Sequence, residues 1–180
     1  GKYIIFLNSG DKFYDKGSLR LFFNYSLNID NKFGLIFGQA EIIANNKLKW
    51  FFPGKKLKNI NKWLKYFEPN HQTMLISRKL ANRFNFTNKY NLIGDGYWKR
   101  KIIQNADKVV YVKSPVIKFF LDGVSSTKPS KKLILDLILN ENISCIRKMI
   151  FFIKYIFPSR IFFLYYLFQK LKSKLIDLII

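Results

Sequence analysis

Up to about residue 126 the apolar positions fall in short runs separated by polar turns, and beyond it they merge into long helical stretches. Tyr3-Ile4-Ile5-Phe6-Leu7 is unbroken, which suits a strand buried on both faces, as in a parallel α/β sheet. It runs into Asn8-Ser9-Gly10-Asp11, four residues with turn chemistry. The spacing of Leu19, Leu21, Phe22, Phe23 and Leu27 predicts a short amphipathic helix. Residues 34–43 and 48–52 read as two strands of a hairpin about Asn45-Asn46, and Pro53-Gly54 breaks the chain after them. A helix is predicted over 60–67, with Trp63, Leu64 and Phe67 on one side. Next come a strand over 72–76, a helix capped by Ser77 and running to about Phe84, and a helix opened by Gly94-Asp95 and running to about Gln104. Residues 109–112 and 116–121 read as two strands, followed by the loop Asp122-Gly123-Val124-Ser125-Ser126. No internal repeat is present. The alternation places the chain in the α/β class, with a domain over 1–126 and a basic helical tail over 127–180.

Composition narrows the chemistry. With 180 residues and 49% hydrophobic content, the chain is large enough to bury a core. The formal net charge of +21 favours an anionic partner, whether nucleic acid or an anionic membrane surface. Most of the excess is Lys, however, and the chain is also crowded with Asn, Ile, Phe and Tyr, the joint bias that an AT-rich genome produces without selection for binding. Cys145 is the only cysteine, so no disulfide forms within the chain and a reducing compartment fits. One His and one Cys exclude a His/Cys zinc cluster made by this chain alone, so any metal is held mainly by oxygen. The chain opens at Gly1 inside the run 2–7 with no signal peptide in view, and we read it as part of a longer protein.

Asp and Glu together number eleven, few enough that candidate acids can be taken one by one. Asp11 lies just past the carboxyl end of an apolar strand, where open α/β sheets bind their ligands. Asp95 stands at a helix start and Asp122 in a Gly/Ser loop after a strand, whereas the others mostly occupy helices or polar connections. Each of these also has a purely local reading, as a turn residue for Asp11 and a helix cap for Asp95.

The order of five segments carries more than any one of them. Lys2 to Asp11 resembles the strand and metal-binding turn of family 2 glycosyltransferases, enzymes of the GT-A-type (nucleotide-diphospho-sugar transferase-like) fold. Leu35-Ile36-Phe37-Gly38-Gln39-Ala40 is similar to their next strand, which ends in a Tyr-Gly-Asp-like turn. Pro69-Asn70-His71-Gln72 with Arg78 resembles the His-Gln segment near the acceptor site, and Tyr90 to Trp98 resembles the segment whose Asp is the catalytic base. Arg100 falls where a helix Arg is common, and Asp122 to Ser126 is similar to a Gly-Gly-Val-Ser-like loop. The resemblance covers about residues 1–126. Two departures stand out: Asn8 and Gly10 occupy positions of the turn that are usually acidic, and Gly96 replaces an aromatic residue.

The resemblance implies inversion at the anomeric carbon of a nucleotide-activated sugar, on a saccharide or lipid-linked acceptor, in bacterial cell-surface polysaccharide synthesis. It makes Asp95 the base, on condition that partial desolvation raises its pKa. It makes Asp11, with a neutral oxygen from Asn8, the holder of Mg²⁺ or Mn²⁺ against the leaving diphosphate. Gly10, His71, Gln72, Arg100, Gly123 and Ser125 become acceptor- or donor-binding residues, His71 in a binding rather than a catalytic role. The nucleotide-binding half that precedes the acidic turn in this family lies outside the chain, so the 180 residues alone are expected to bind donor poorly and to be inactive.

The tail segments 146–157 and 161–180 are rich in Phe, Ile, Leu and Tyr and are punctuated by Arg147, Lys148, Lys154, Arg160, Lys170, Lys172 and Lys174. Cations at the middle of a span cost roughly 2.5–3.5 kcal/mol each, which disfavours crossing a bilayer. Amphipathic helices lying on the anionic inner face of the plasma membrane fit better and would make the protein cytoplasmic and peripheral; a helical pair packed on the domain or on another subunit fits the same pattern. Two further readings use other features. A nucleic-acid binder would account for the charge, but Arg is scarce and no reader motif is present, so no nucleic acid is expected. A non-catalytic remnant that docks on membrane or partner would keep the fold without the activity.

Overall fold

The computed structural model describes residues 1–27, 34–44, 48–54, 57–84 and 94–121, together with five positions of the tail. They form a mixed α/β unit built on a six-stranded sheet. Its strands are β1 (Tyr3–Ile5), β2 (Lys12–Phe13), β3 (Gly34–Ala44), β4 (Leu48–Phe52), β5 (Met74–Ser77) and β6 (Lys108–Phe120). The helices are α1 (Ser18–Leu27), α2 (Ile60–Tyr66), α3 (Arg78–Arg83) and α4 (Gly94–Gln104), with a single 3-10 turn at His71–Thr73.

The strand order is β1-β5-β3-β6-β2, and β4 pairs with β3 beyond that path. Among the described strands the β3/β6 pairing is parallel, and the β1/β5, β3/β5, β3/β4 and β2/β6 pairings are antiparallel. The expected parallel setting of the first apolar run is therefore corrected. β1 is a three-residue strand at the end of the path, only partly buried, and Leu7 beyond it is 41% exposed. The strand buried on both faces is β3, in which Gly34 to Ala40 are all buried.

Alternation along β3 and β5 sorts the core into two layers. Leu35, Phe37, Met74 and Ile76 pack with Trp63 of α2, Leu80 of α3, and Trp98 and Ile102 of α4. On the other face Ile36 and Leu75 pack with Phe22 of α1 and with Val112, Val116 and Ile117 of β6. Trp63 is fully buried, stacked on Phe37 at 6.1 Å between ring centroids and flanked by Phe52 and Phe67. Local signals fix the helix ends. Ser18 Oγ donates to Asp15 Oδ1 at 2.9 Å and accepts from Asp15 N at 3.1 Å before α1, while Asn59 Oδ1 accepts from Lys62 N at 2.9 Å before α2. As expected, Ser77 caps α3, accepting from Leu80 N at 3.4 Å.

Two expectations change at the centre of the sheet. The sequence predicts separate strands over 109–112 and 116–121, but β6 runs on through Ser114-Pro115. The ladder absorbs the break by shifting register between Phe37 and Ala40 of β3. Gly38 sits in that irregularity, and a Cβ there would lie 2.7 and 2.8 Å from the two methyls of Val116 and 3.1 Å from Ser114 O. The Gly38-Gln39 pair is thus mid-strand, where the family pattern suggests a turn, and buried Gln39 donates to Pro53 O at 3.0 Å.

Among the described residues no helix is long and apolar enough to cross a membrane. The tail segments fall largely outside the described residues. Of its described positions, all helical, Leu167, Leu171 and Leu175 are exposed.

Candidate functional site

Three segments far apart in sequence meet at one place: the turn after β1, the 3-10 turn before β5 and the start of α4. In the first, Asp11 N donates to Asn8 O at 3.1 Å, and Gly10 holds φ +91°, a left-handed value that glycine takes without a Cβ clash. Asp11 is thereby turned back toward the sheet. Its Oδ1 accepts from the Phe120 amide at the end of β6 at 3.1 Å, and its Oδ2 accepts from Gln72 Nε2 at 2.9 Å. Burial pushes the Asp11 carboxyl above its ordinary value; the two hydrogen bonds and the nearby His71 oppose this but leave the net shift upward.

The 3-10 turn supplies two neighbouring side chains to the two acids. Asn70 caps it, with Oδ1 accepting from Gln72 N at 3.1 Å and its carbonyl accepting from Thr73 Oγ1 at 2.7 Å. Gln72 is fully buried, and its amide must face Asp11 nitrogen-first, because the reverse would set oxygen against a carboxylate. Its Oε1 is left buried without a hydrogen-bond partner among the described residues. His71 lies between the other two segments: Nε2 is 3.3 Å from Asn8 Nδ2, and Nδ1 is 3.3 Å from Asp95 Oδ2.

Asp95 stands in the first turn of α4, where the helix dipole favours a negative charge, and its Oδ1 accepts from Gly96 N at 2.7 Å. Burial pushes its carboxyl up, but the hydrogen bond and charge of His71, the Lys99 ammonium and the Gly96 amide together outweigh it, so its pKa lies below the ordinary value. The condition set by the family resemblance, that desolvation should raise this pKa, is therefore reversed. Hydrogen bonding and cations stabilise the ionised form more than partial burial disfavours it.

The structure thus brings together Asn8, Gly10, Asp11, His71, Gln72 and Asp95 from the sequence-predicted set. Arg100 is engaged elsewhere: its Nε donates to Glu68 Oε1 at 2.6 Å, with Lys99 Nζ 3.8 Å from Glu68 Oε2. Gly123 and Ser125 lie outside the described residues. Two partners escape sequence reasoning. Glu68 reads as one more residue of a polar connection, although its place beside Pro69-Asn70-His71-Gln72 is a usable cue. The Phe120 amide is a backbone donor and leaves no mark in a sequence.

Among the described residues no three His, Cys, Asp or Glu side chains converge on a metal position. Asp11 is the one carboxylate of its turn, and both its oxygens accept N–H bonds while keeping further lone pairs. Such a donor set does not make an all-protein cage. A hard cation such as Mg²⁺, which can be bound through one or two carboxylates, would have to complete its shell from other ligands there. No family model matches the chain, and no curated protein sequence matches it.

Proposed function

We propose that the chain works in a GT-A-type, family 2-like inverting glycosyltransferase, moving a sugar from a nucleotide-sugar donor to a saccharide or lipid-linked acceptor in cell-surface polysaccharide synthesis. The observation that carries this reading is the meeting of Asp11, the His71-Gln72 pair and Asp95 at one site, from three segments whose order already resembles that family. Inverting transfer needs a group that takes the proton from the acceptor hydroxyl and a fixed positive centre near the leaving diphosphate. The Asp95–His71 couple is suited to the first. Asp11 would hold Mg²⁺ or Mn²⁺, which when bound neutralises charge on the diphosphate. Gln72 and the Phe120 amide keep the Asp11 carboxylate oriented, and Gly10 allows the turn that presents it.

We also propose a peripheral position on the inner face of the plasma membrane. It is supported by the exposed Leu167, Leu171 and Leu175, interspersed in the sequence with Lys170 and Lys174, and by the net charge of +21. Failure to float with anionic vesicles would remove this part of the reading.

The activity test measures sugar transfer and donor hydrolysis with a panel of sugar nucleotides, with and without Mn²⁺. It uses the 180-residue chain and, where its gene encodes residues upstream, the longer form, each also as Asp11→Asn. We expect cation-dependent turnover that Asp11→Asn lowers by roughly 10²-fold or more, in the range of losing one electrostatic stabiliser. Silence of both forms with every donor would leave a docking protein that has kept the fold without the chemistry.

A further inference from the structure

We infer that α1 is a membrane-contact helix, whose Leu19, Phe23 and Leu27 enter the surface of an anionic phospholipid bilayer. This contact rests on the peripheral reading above and lies on the folded unit itself, apart from the tail.

Helix α1 carries apolar side chains on two faces. Phe22 is fully buried and packs, with Leu21 beside it, in the layer of Ile36, Val116 and Ile117, which accounts for the inner face. Leu19, Phe23 and Leu27 recur every four residues along the helix and so share a second face. They are 51%, 59% and 67% exposed, and Leu27 and Phe23 are the two most exposed large apolar side chains among the described residues. One exposed leucine is ordinary, whereas three in line on one helix form a patch that calls for a partner.

The surroundings of this ridge select the partner. From Lys16 to Leu27 the chain holds no Asp or Glu. Lys16 precedes the ridge and Arg20 lies one turn from Phe23, both exposed. Asp15, just upstream, is engaged at the helix start, where its Oδ1 accepts from Gly17 N at 2.8 Å and from Ser18 Oγ at 2.9 Å. A second copy docked on the ridge would set these cations against themselves, and the chain's own tail is also basic. Three side chains are few, too, beside the roughly 20–30 residues a side of a stable protein interface. An apolar ridge edged by cations instead matches a bilayer surface. Leu and Phe sit there at the boundary of headgroup and acyl chain, and Lys and Arg meet anionic headgroups.

The position of the helix suits the proposed chemistry. Ser18 opens α1 seven residues after Asp11, and an extended chain of that length reaches at most about 25 Å. A docked α1 therefore keeps the Asp11 turn close to the bilayer, where a lipid-linked acceptor would lie.

The chain's three tryptophans, Trp50, Trp63 and Trp98, are all buried, so Phe23→Trp adds the one exposed indole. The test measures tryptophan fluorescence of the 180-residue Phe23→Trp chain with vesicles of brominated phosphatidylglycerol or of brominated phosphatidylcholine, taking the unsubstituted chain as baseline. We expect quenching above baseline with the anionic vesicles and little with the zwitterionic ones. Phe23→Ser combined with Leu27→Ser should weaken binding to anionic vesicles by about tenfold or more, and Arg20→Glu by about fivefold or more. These positions are exposed, so the unfolding transition should stay where it is. Flotation with anionic vesicles but no added quenching, or an unchanged affinity in the double variant, overturns the α1 contact and leaves the peripheral reading standing. Emission already blue-shifted without vesicles and unaltered by them would mean that protein covers the ridge, which also overturns it. Equal quenching by both lipids overturns the anionic assignment. No association with anionic vesicles at all overturns the α1 contact and the peripheral reading together.

Discussion

Gly38→Ala tests whether the junction of the two central strands holds the site together. The new Cβ would meet both Val116 methyls at 2.7 and 2.8 Å, where ordinary contact begins near 3.4 Å. Val116 is fully buried and β-branched, so turning χ1 brings one methyl out of the way only by driving the other into its neighbours. The third near atom, Ser114 O at 3.1 Å, is backbone and cannot turn aside. Relief requires β3 and β6 to part, and overpacking of this kind costs about 1–3 kcal/mol. For a chain of this length each kcal/mol lowers Tm by roughly 2–4 °C. Val116→Ala alone should also destabilise, by opening a cavity. In the double variant the two changes offset each other, because the added methyl occupies space the removed ones vacate. Denaturant unfolding of all four proteins gives the coupling, expected at about 1 kcal/mol or more. Single-variant losses that add within about 0.5 kcal/mol would refute the steric argument. Because β6 ends at the Phe120 amide that binds Asp11, Gly38→Ala should also disturb the Asp11 carboxyl signal, whereas a defect confined to the core would leave it in place.

Three further outcomes follow from the site. Asp95 has a folded pKa below its unfolded value of 3.8, so the stability it contributes is complete above that value and lost as pH falls through the folded one; Asp95→Asn should flatten this acid limb in pH-dependent unfolding, and an unchanged limb would contradict it. Gln72→Leu removes a donor that holds the Asp11 pKa down against burial, so carboxyl ¹³C titration should move Asp11 further up, and a downward move would show that burial is not the dominant cause. Arg100→Ala breaks an ion pair whose arginine side chain is 54% exposed, so stability should fall by less than about 1 kcal/mol. A tenfold rise in KM for either substrate in that variant would return Arg100 to the ligand-binding role its sequence position suggests.

The elements legible in the sequence are those whose cause is local. The 3.6-residue spacing marks α1 and α2, Ser77 marks the start of α3, and the apolar run after Phe33 marks β3 almost to its end. What the sequence misplaces depends on partners. Tyr3 to Leu7 has the composition of a buried strand, yet which strand neighbours it is decided by the sheet order, and β1 pairs with antiparallel β5. Ser114-Pro115 reads as a break because proline lacks an N–H donor, but β3 yields its register there and β6 runs through. The candidate site follows the same division. Asp11, His71, Gln72 and Asp95 are visible as residues of the right kind, but the pairing of Gln72 with Asp11 and of His71 with Asp95 is not, because it joins segments distant in the sequence. The sign of the Asp95 shift follows from those pairings and cannot precede them.

The 3-10 turn at His71–Thr73 has a consequence for how this site can change. Adjacent residues of one short turn touch both acids, Gln72 on Asp11 and His71 on Asp95, so a single peptide unit sets the span between the two carboxylates. The span behaves like a gauge block: Asn70 and Thr73 fasten it through side-chain bonds of 3.1 and 2.7 Å, and whatever shifts the fastening displaces both ends together. Substitutions at Asn70 should therefore disturb both contacts together. Variation that retunes one acid alone is confined to the far side of each contact, to the Asn8–Asp11 turn or to the first turn of α4.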